Sequence, residues 1–230
     1  MTSNLTALVD ADNFYVSCER IFRPELRHRP VVVLSNNDGC VVARSREVKD
    51  MGVKMGTPLY QIRDFVKAKK IVVFSSNYEL YGDISARVME ILARFSAYLE
   101  TYSIDEAFLQ FSPKKTDAVC EQIIQTCRDW VSIPVKIGVA QTKTLSKVAA
   151  ELVKQEKPSP RYKVLLNQDE IDTALTKVQL EDVWGIGLKT VEKLKQYGIK
   201  TPLQLKDMPE QYIRKHFNIM LVRTVMELRG

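Results

Sequence analysis

The sequence predicts a mixed α/β fold of the α+β kind. Three observations carry that expectation. Short β-branched runs alternate with segments of helical periodicity through residue 167. With residues 18–75 set aside, their order is β, α, β, β, α, β. From Gln168 onward the pattern is helical and short-looped.

Residues 6–9 read as a first strand, running into Asp10-Ala11-Asp12. Pro30 to Leu34 and Ile71 to Phe74 are two further apolar runs. Gly39, Gly52, Gly56 and Pro58 break the stretch between them into a small αβ module. Leu80, Ile84, Val88, Ile91 and Phe95 recur at helical spacing. Glu100 to Phe111 reads as two strands, Tyr102-Ser103-Ile104 and Ala107-Phe108-Leu109, about a tight turn at Asp105-Glu106. Residues 116–132 form a helix with Val119, Ile123, Cys127 and Trp130 on one face. Ile133 to Ala140 is a strand, 143–154 a basic helix and Lys163 to Leu166 a last strand. The order matches a split βαβ, ferredoxin-like sheet with helices on one face and 18–75 inserted after the first strand. Gln155 to Tyr162, with two prolines and mixed charges, is the expected mobile link.

At 230 residues and 45% hydrophobic content, the chain has enough apolar material for a real core, which excludes wholesale disorder. The net charge of +6 is uneven. Residues 1–112 hold 14 basic and 14 acidic side chains, 113–167 hold 10 and 5, and 168–230 hold 10 and 9. A basic middle block suggests an anionic partner more strongly than a diffuse surplus would; the alternative is a solvated face. Cys18, Cys40, Cys120 and Cys127 show no CxxC spacing, and the two histidines are His28 and His216, which argues against zinc. Cys120 and Cys127, seven apart, are expected as reduced thiols on one buried helix face. There is no signal-peptide pattern and no apolar run of membrane-spanning length, so a cytoplasmic protein without a membrane role is expected.

Asp10 ends the first strand, and Asp105-Glu106 sit in a turn between two apolar strands. In a ferredoxin-like sheet the first strand is central and lies beside that hairpin, so the three carboxylates meet at one sheet edge. Like charges that close repel unless a cation holds them, and hard divalent ions take oxygen ligands. Two such ions would activate an attacking hydroxyl and stabilise a leaving pyrophosphate. The competing expectation is ordinary turn chemistry. Asp12 is expected to cap the segment that follows.

Several stretches, in order, make the chain resemble the Y-family of translesion DNA polymerases, and within it the bacterial UmuC type. They are Val9 to Tyr15, Pro30 to Cys40, Gly52 to Gly56 with Pro58, Phe74 to Tyr81, Tyr102 to Phe108, Gly138 to Lys147 and Trp184 to Gly187. The resemblance implies a right-hand polymerase core, with palm 1–17 and 76–167, fingers 18–75 and a helical thumb 168–230. It implies template-directed, error-prone addition of dNTPs to a primer 3′ end, of the SOS type, by two-metal-ion nucleotidyl transfer. The ions would be Mg²⁺, with Mn²⁺ a possible substitute. Asp10, Asp105 and Glu106 match the family's metal-binding catalytic carboxylates, and the Ala11 carbonyl a further ligand. Tyr15 matches the steric gate beside the incoming sugar, with Phe14 next to it packing. Arg46, Lys49 and Lys154 match nucleotide-binding positions that contact the triphosphate, where cations would offset charge on departing pyrophosphate.

Residues 182–199 read as a helix-hairpin-helix, with Gly185 and Gly187 opening a helix that Gly198 closes. Backbone N–H groups there would hold a DNA phosphate, joined by Lys189, Lys193 and Lys195. Lys143 and Lys147 are expected on the DNA-binding side of the basic helix. Lys147 and Lys154, seven apart, share a face. Small residues Gly39, Cys40 and Ala43 in short fingers would leave an open site. By resemblance the partners are primer-template DNA, dNTPs, a UmuD′-type accessory subunit and a RecA filament, and the setting is the bacterial nucleoid. The family's little-finger domain has no counterpart within these residues, so weak DNA grip and little sliding-clamp contact are expected. Two alternatives are a non-catalytic regulator of the full-length polymerase that binds DNA or partner subunits, and a nucleotide cyclase. The intact carboxylates speak against the first and the helix-hairpin-helix against the second.

Overall fold

The structure, a computed structural model, describes residues 4–155 and 160–230. Residues 156–159 of the expected Gln155–Tyr162 link lie outside the described residues. The main sheet has five strands: β1 (Leu5–Ala11), β5 (Leu99–Thr101), β6 (Glu106–Phe111), β7 (Val135–Ala140) and β8 (Tyr162–Val164). Their order is β5-β6-β1-β7-β8, antiparallel throughout except for the parallel β7–β8 pair. The first strand is therefore central, flanked by β6 and β7.

Side-chain alternation along β1 sorts the two faces. Leu5, Ala7, Val9 and Ala11 face one core, together with Ala107 and Leu109 of β6 and Val135, Ile137 and Val139 of β7. Helices α4 (Tyr78–Leu92) and α5 (Thr116–Val131) cover this face. On α5 the buried stripe is Cys120, Ile123 and Cys127. Trp130, expected on that stripe, turns outward, 59% exposed, and the Arg94 guanidinium lies 4.8 Å from its ring centroid. Leu8 and Phe108 face the other way, against Ala150 of α6 (Lys143–Gln155). Helices thus cover both faces, because the strand-following helix α6 takes the side that the split βαβ pair leaves open.

The closeness of α6 has a visible cause. Gly138 of β7 faces it, and a Cβ there would lie 2.0 Å from the Ser146 carbonyl oxygen and 2.3 Å from the Ala150 nitrogen. Only glycine permits that approach.

Between β1 and α4 lies the inserted module: α1 (Phe14–Phe22), β2 (Val31–Leu34), β3 (Val41–Arg44), α2 (Arg46–Asp50), α3 (Leu59–Ala68) and β4 (Val72–Phe74). Its three strands run β3-β2-β4. Val31, Val33 and Ala43 join the main core, whereas Val32, Leu34 and Val41 pack against Val48, Ile62 and Phe65. The expected division at residues 17 and 18 falls inside α1, which runs through it unbroken.

The C-terminal module holds α7 (Gln168–Lys177), α8 (Leu188–Gln196), α9 (Pro202–Asp207), α10 (Glu210–His216) and α11 (Ile219–Arg229). Asn167 starts it with a full capping box to Glu170. The segment before α8 is a 3₁₀ turn, Leu180–Asp182. Gly185 (φ 85°) and Gly198 (φ 80°) occupy left-handed backbone, while Gly187 is extended and serves as the N-cap of α8. Helix α11 docks on α6: Glu227 Oε2 accepts from the Thr144 N–H at 2.8 Å and its hydroxyl at 2.7 Å. No helix among the described residues is long and apolar enough to cross a membrane.

Candidate active site

Strand register builds the site. Asp10 pairs with Glu106 of β6 on one side and with Lys136 of β7 on the other. Directly opposed residues project from the same face, so all three point toward α6. Asp105 precedes β6, and its carbonyl accepts the Ala11 N–H at 2.9 Å. The turn spans 102–105: Tyr102, Ser103 and Ile104, expected as strand, lie in it, and Glu106 is the first strand residue. The Ser103 hydroxyl holds the turn, donating to Asp105 Oδ1 at 2.6 Å and accepting the Glu106 N–H at 3.0 Å.

Asp10, Glu106 and Asp12 each have a cation partner, whereas Asp105 is held by the Ser103 hydroxyl. Lys136 donates to Asp10 Oδ1 at 2.7 Å and to Asp12 Oδ1 at 2.9 Å. Lys154 lies 3.6 Å from Asp10 Oδ2 and 3.0 Å from Glu151. Lys147 pairs with Glu106 Oε2 at 2.9 Å. Arg161 pairs with Asp12 and donates to the Val135 carbonyl. Asp12 therefore does not cap α1; Asn13 holds that position in left-handed backbone (φ 46°), with no side-chain cap. Burial works against the Asp12 anion, but the charges of Lys136 and Arg161 prevail and hold its carboxyl below the ordinary value. Burial likewise opposes the charge on Lys154, and Asp10 and Glu151 outweigh it, raising its pKa.

Two clefts meet at Asp10. One, about 820 Å³, lies between the main sheet and the inserted module, and Asp10, Asp105, Tyr15, Arg46, Lys49 and Lys154 all line it. Arg46 and Lys49 stand three apart on α2, with Arg46 paired to Asp50 at 3.1 Å. Of the three small residues Gly39, Cys40 and Ala43, Ala43 lines this cleft. Phe14 is buried in the core beneath it. The second cleft, about 540 Å³, runs from Asp10 and Glu106 past Lys147 to the Gly185–Gly187 loop.

Tyr15 rises from the first turn of α1 and stacks on buried Tyr81. Burial, then Tyr78 and Asp105, push its phenol above the ordinary value, so it stays neutral at pH 7. Lys143, expected to meet DNA, is held by both Glu100 oxygens at 2.6 Å. Lys147 is turned to Glu106, with 15% of its side chain exposed. Lys189 is exposed at the start of α8. Lys193 donates to the His216 carbonyl at 2.6 Å.

The donor set, three carboxylates and the Ala11 carbonyl, suits a hard divalent cation. The backbone brings it together, but lysines engage the carboxylate oxygens of Asp10 and Glu106. Among the described residues, no three His, Cys, Asp or Glu side chains converge on one ion as they stand.

Sequence reasoning missed Lys136, Arg161, Ser103 and Trp184. Lys136 carried a signal: it is the one charge in the apolar run Val135 to Ala140, and a buried strand keeps a charge only against a partner.

The match to the impB/mucB/samB family covers residues 9–151. The chain is 44% identical over 230 residues to Protein UmuC of Salmonella typhimurium, covering 97% of this chain and 54% of that protein. It is 43% identical over 236 residues to Protein ImpB of the same organism, with the same coverage. The chain thus spans about half the length of the curated relatives it matches. A solved structure described as an insertion ternary complex of Dbh DNA polymerase shares the fold, with a TM-score of 0.82 and 22% identity. That match covers 98% of this chain and 67% of that one. Strand order, carboxylate register and these matches lead to one conclusion: the chain belongs to the impB/mucB/samB family.

Proposed function

We propose that the chain carries the catalytic centre of a template-directed DNA polymerase of the translesion class. The observation that carries this reading is the register pair Asp10–Glu106, with Asp105 beside it, opening on a cleft lined by Tyr15, Arg46, Lys49 and Lys154. Such a cleft places an anionic triphosphate between carboxylates on one side and cations on the other. Asp10, Asp105, Glu106 and the Ala11 carbonyl would hold divalent cations, for which Mg²⁺ is the first choice and Mn²⁺ a substitute. Those ions would supply activation of the primer hydroxyl and charge neutralisation at the phosphates. Arg46, Lys49 and Lys154 bind and orient the triphosphate. Tyr15, its ring fixed by Tyr81, occupies the space a 2′-hydroxyl would need.

The main sheet with α4 to α6 corresponds to the palm (1–17 and 76–167), the inserted module to the fingers (18–75) and the helical module to the thumb (168–230). Gly185 to Lys189 would hold primer-template DNA by its phosphates. The relatives' organism favours a bacterial setting, and the resemblance to the UmuC type a damage-response one. A UmuD′-type subunit, a RecA filament and nucleoid association belong to the same proposal.

Primer extension with Mg²⁺ and dNTPs at high enzyme and DNA concentration tests it. Incorporation that disappears in Asp105→Ala/Glu106→Ala supports the reading. No incorporation by the unsubstituted chain overturns it for these residues alone.

A further inference from the structure

Among the described residues, Lys147 is the cation that lies over the most aromatic rings. Its ammonium pairs with Glu106 at 2.9 Å and lies over three aromatic rings: Tyr102 at 4.5 Å, Trp184 at 5.6 Å and Phe108 at 5.8 Å from the centroids. Such rings attract a cation through their faces, more strongly where water is displaced. The rings also hold one another. Trp184 meets Tyr102 edge-on, with centroids 5.5 Å apart, and its indole N–H donates to the Tyr102 hydroxyl at 3.1 Å.

The three rings come from different places. Phe108 is in the central sheet, Tyr102 in the carboxylate turn, and Trp184 immediately before Gly185 in the C-terminal module. Trp184 is therefore the hairpin's direct contact with the charge partner of Glu106. A hairpin that shifts moves one wall of the cage, and Lys147 must then redistribute between the rings and the carboxylate.

We propose that Lys147 is a positioning residue for Glu106, and that Trp184 couples occupancy of the hairpin by duplex DNA to cation binding at the carboxylates. The proposal rests on the polymerase reading of the site. A duplex that seats the hairpin tightens the cage and draws Lys147 from Glu106, leaving the carboxylate oxygens to a divalent ion. Coupling of this kind is reciprocal, so the ion favours the seated hairpin by the same factor.

The test measures binding. Mn²⁺ bound to the 230-residue chain is followed by loss of the aqueous Mn²⁺ electron paramagnetic resonance signal, with and without a short duplex. The expected result is an Mn²⁺ midpoint lowered about fivefold by duplex, with most of that shift lost in Trp184→Ala and in Lys147→Met. Trp184→Phe keeps a ring without the N–H and retains an intermediate shift. It also serves as the variant of choice should Trp184→Ala unfold, as judged by circular dichroism. In a Trp130→Phe background Trp184 is the sole tryptophan, and its emission should change on Mn²⁺ binding. An equal duplex shift in the unsubstituted protein and in Trp184→Ala overturns the coupling alone. Absence of Mn²⁺ binding sensitive to Asp10→Asn overturns the carboxylate site and the coupling together.

Discussion

The ring of Tyr15 lies flat against that of Tyr81, with centroids 4.2 Å apart and planes 14° from parallel. Tyr81 is fully buried, and its hydroxyl donates to Glu19 Oε1 at 2.9 Å. Tyr15 is thus backed by a buried ring anchored through its hydroxyl. Tyr15→Ala should relax discrimination against ribonucleotides by at least about tenfold, or about 1.4 kcal/mol, measured as the ratio of kcat/KM for dNTP and rNTP. Tyr81→Phe keeps the stack and leaves buried Glu19 without a donor. It should cost about 1–3 kcal/mol of stability while sugar selection is retained.

Lys154 lies 3.6 Å from Asp10 Oδ2, where the two clefts meet. Lys154→Ala should lower kcat/KM for nucleotide insertion by about 10- to 100-fold, the loss of one charge-assisted contact of roughly 1.4–3 kcal/mol. Steady-state insertion kinetics check this. An unchanged kcat/KM would remove Lys154 from the triphosphate site.

Asp12 ties β1 to β7 through Lys136 and to Arg161. Its carboxyl is held below the ordinary 3.8. The stabilisation from that depression is complete above pH 3.8 and is lost as pH falls through the lower, folded value. Asp12→Asn should flatten this part of the acid limb in urea titrations between pH 5 and pH 2, since an amide has no such proton to gain. At pH 7 it should cost about 1–3 kcal/mol, the penalty for a weakened charged partner.

Gly138→Ala should be among the most damaging single-methyl additions to this protein. The new carbon meets backbone atoms of α6, which cannot swing aside as a side chain can. A loss of about 3 kcal/mol or more is expected, read as a fall in the midpoint of thermal unfolding. Gly82→Ala, with nothing within 4 Å of the added carbon, is the matched control.

The four thiols are free. Burial pushes Cys18, Cys120 and Cys127 up to about 12, and Cys40 is half-buried in the inserted module. With Ellman's reagent at pH 8, one thiol should react quickly and three only on unfolding. Cys40→Ser should abolish the fast phase.

Much of the architecture was legible because hydrophobic period and segment order are local properties. The central position of the first strand followed from segment order, and with it the meeting of Asp10 and Glu106. What was not legible depended on a third dimension that no spacing records. Trp130 falls at helical intervals from Ile123 and Cys127 yet faces outward, because the covered arc of α5 is narrower than its apolar stripe. Asp12 looks like a cap by residue type, but two cations distant in sequence, Lys136 and Arg161, compete for it more strongly than an exposed helix end does. Lys147 reads as a DNA-facing lysine on a basic helix. Only the approach of the Trp184 loop turns its environment into an aromatic cage.

The contact at Gly138 fixes more than packing. Because backbone meets backbone there, the depth of α6 against the sheet is a hard stop. The roots of Lys147 and Lys154 are consequently set at a constant height above Asp10 and Glu106. Any adjustment of those two ammonium groups toward the carboxylates must therefore come from their long methylene stems, a compliant tip on a rigid mount.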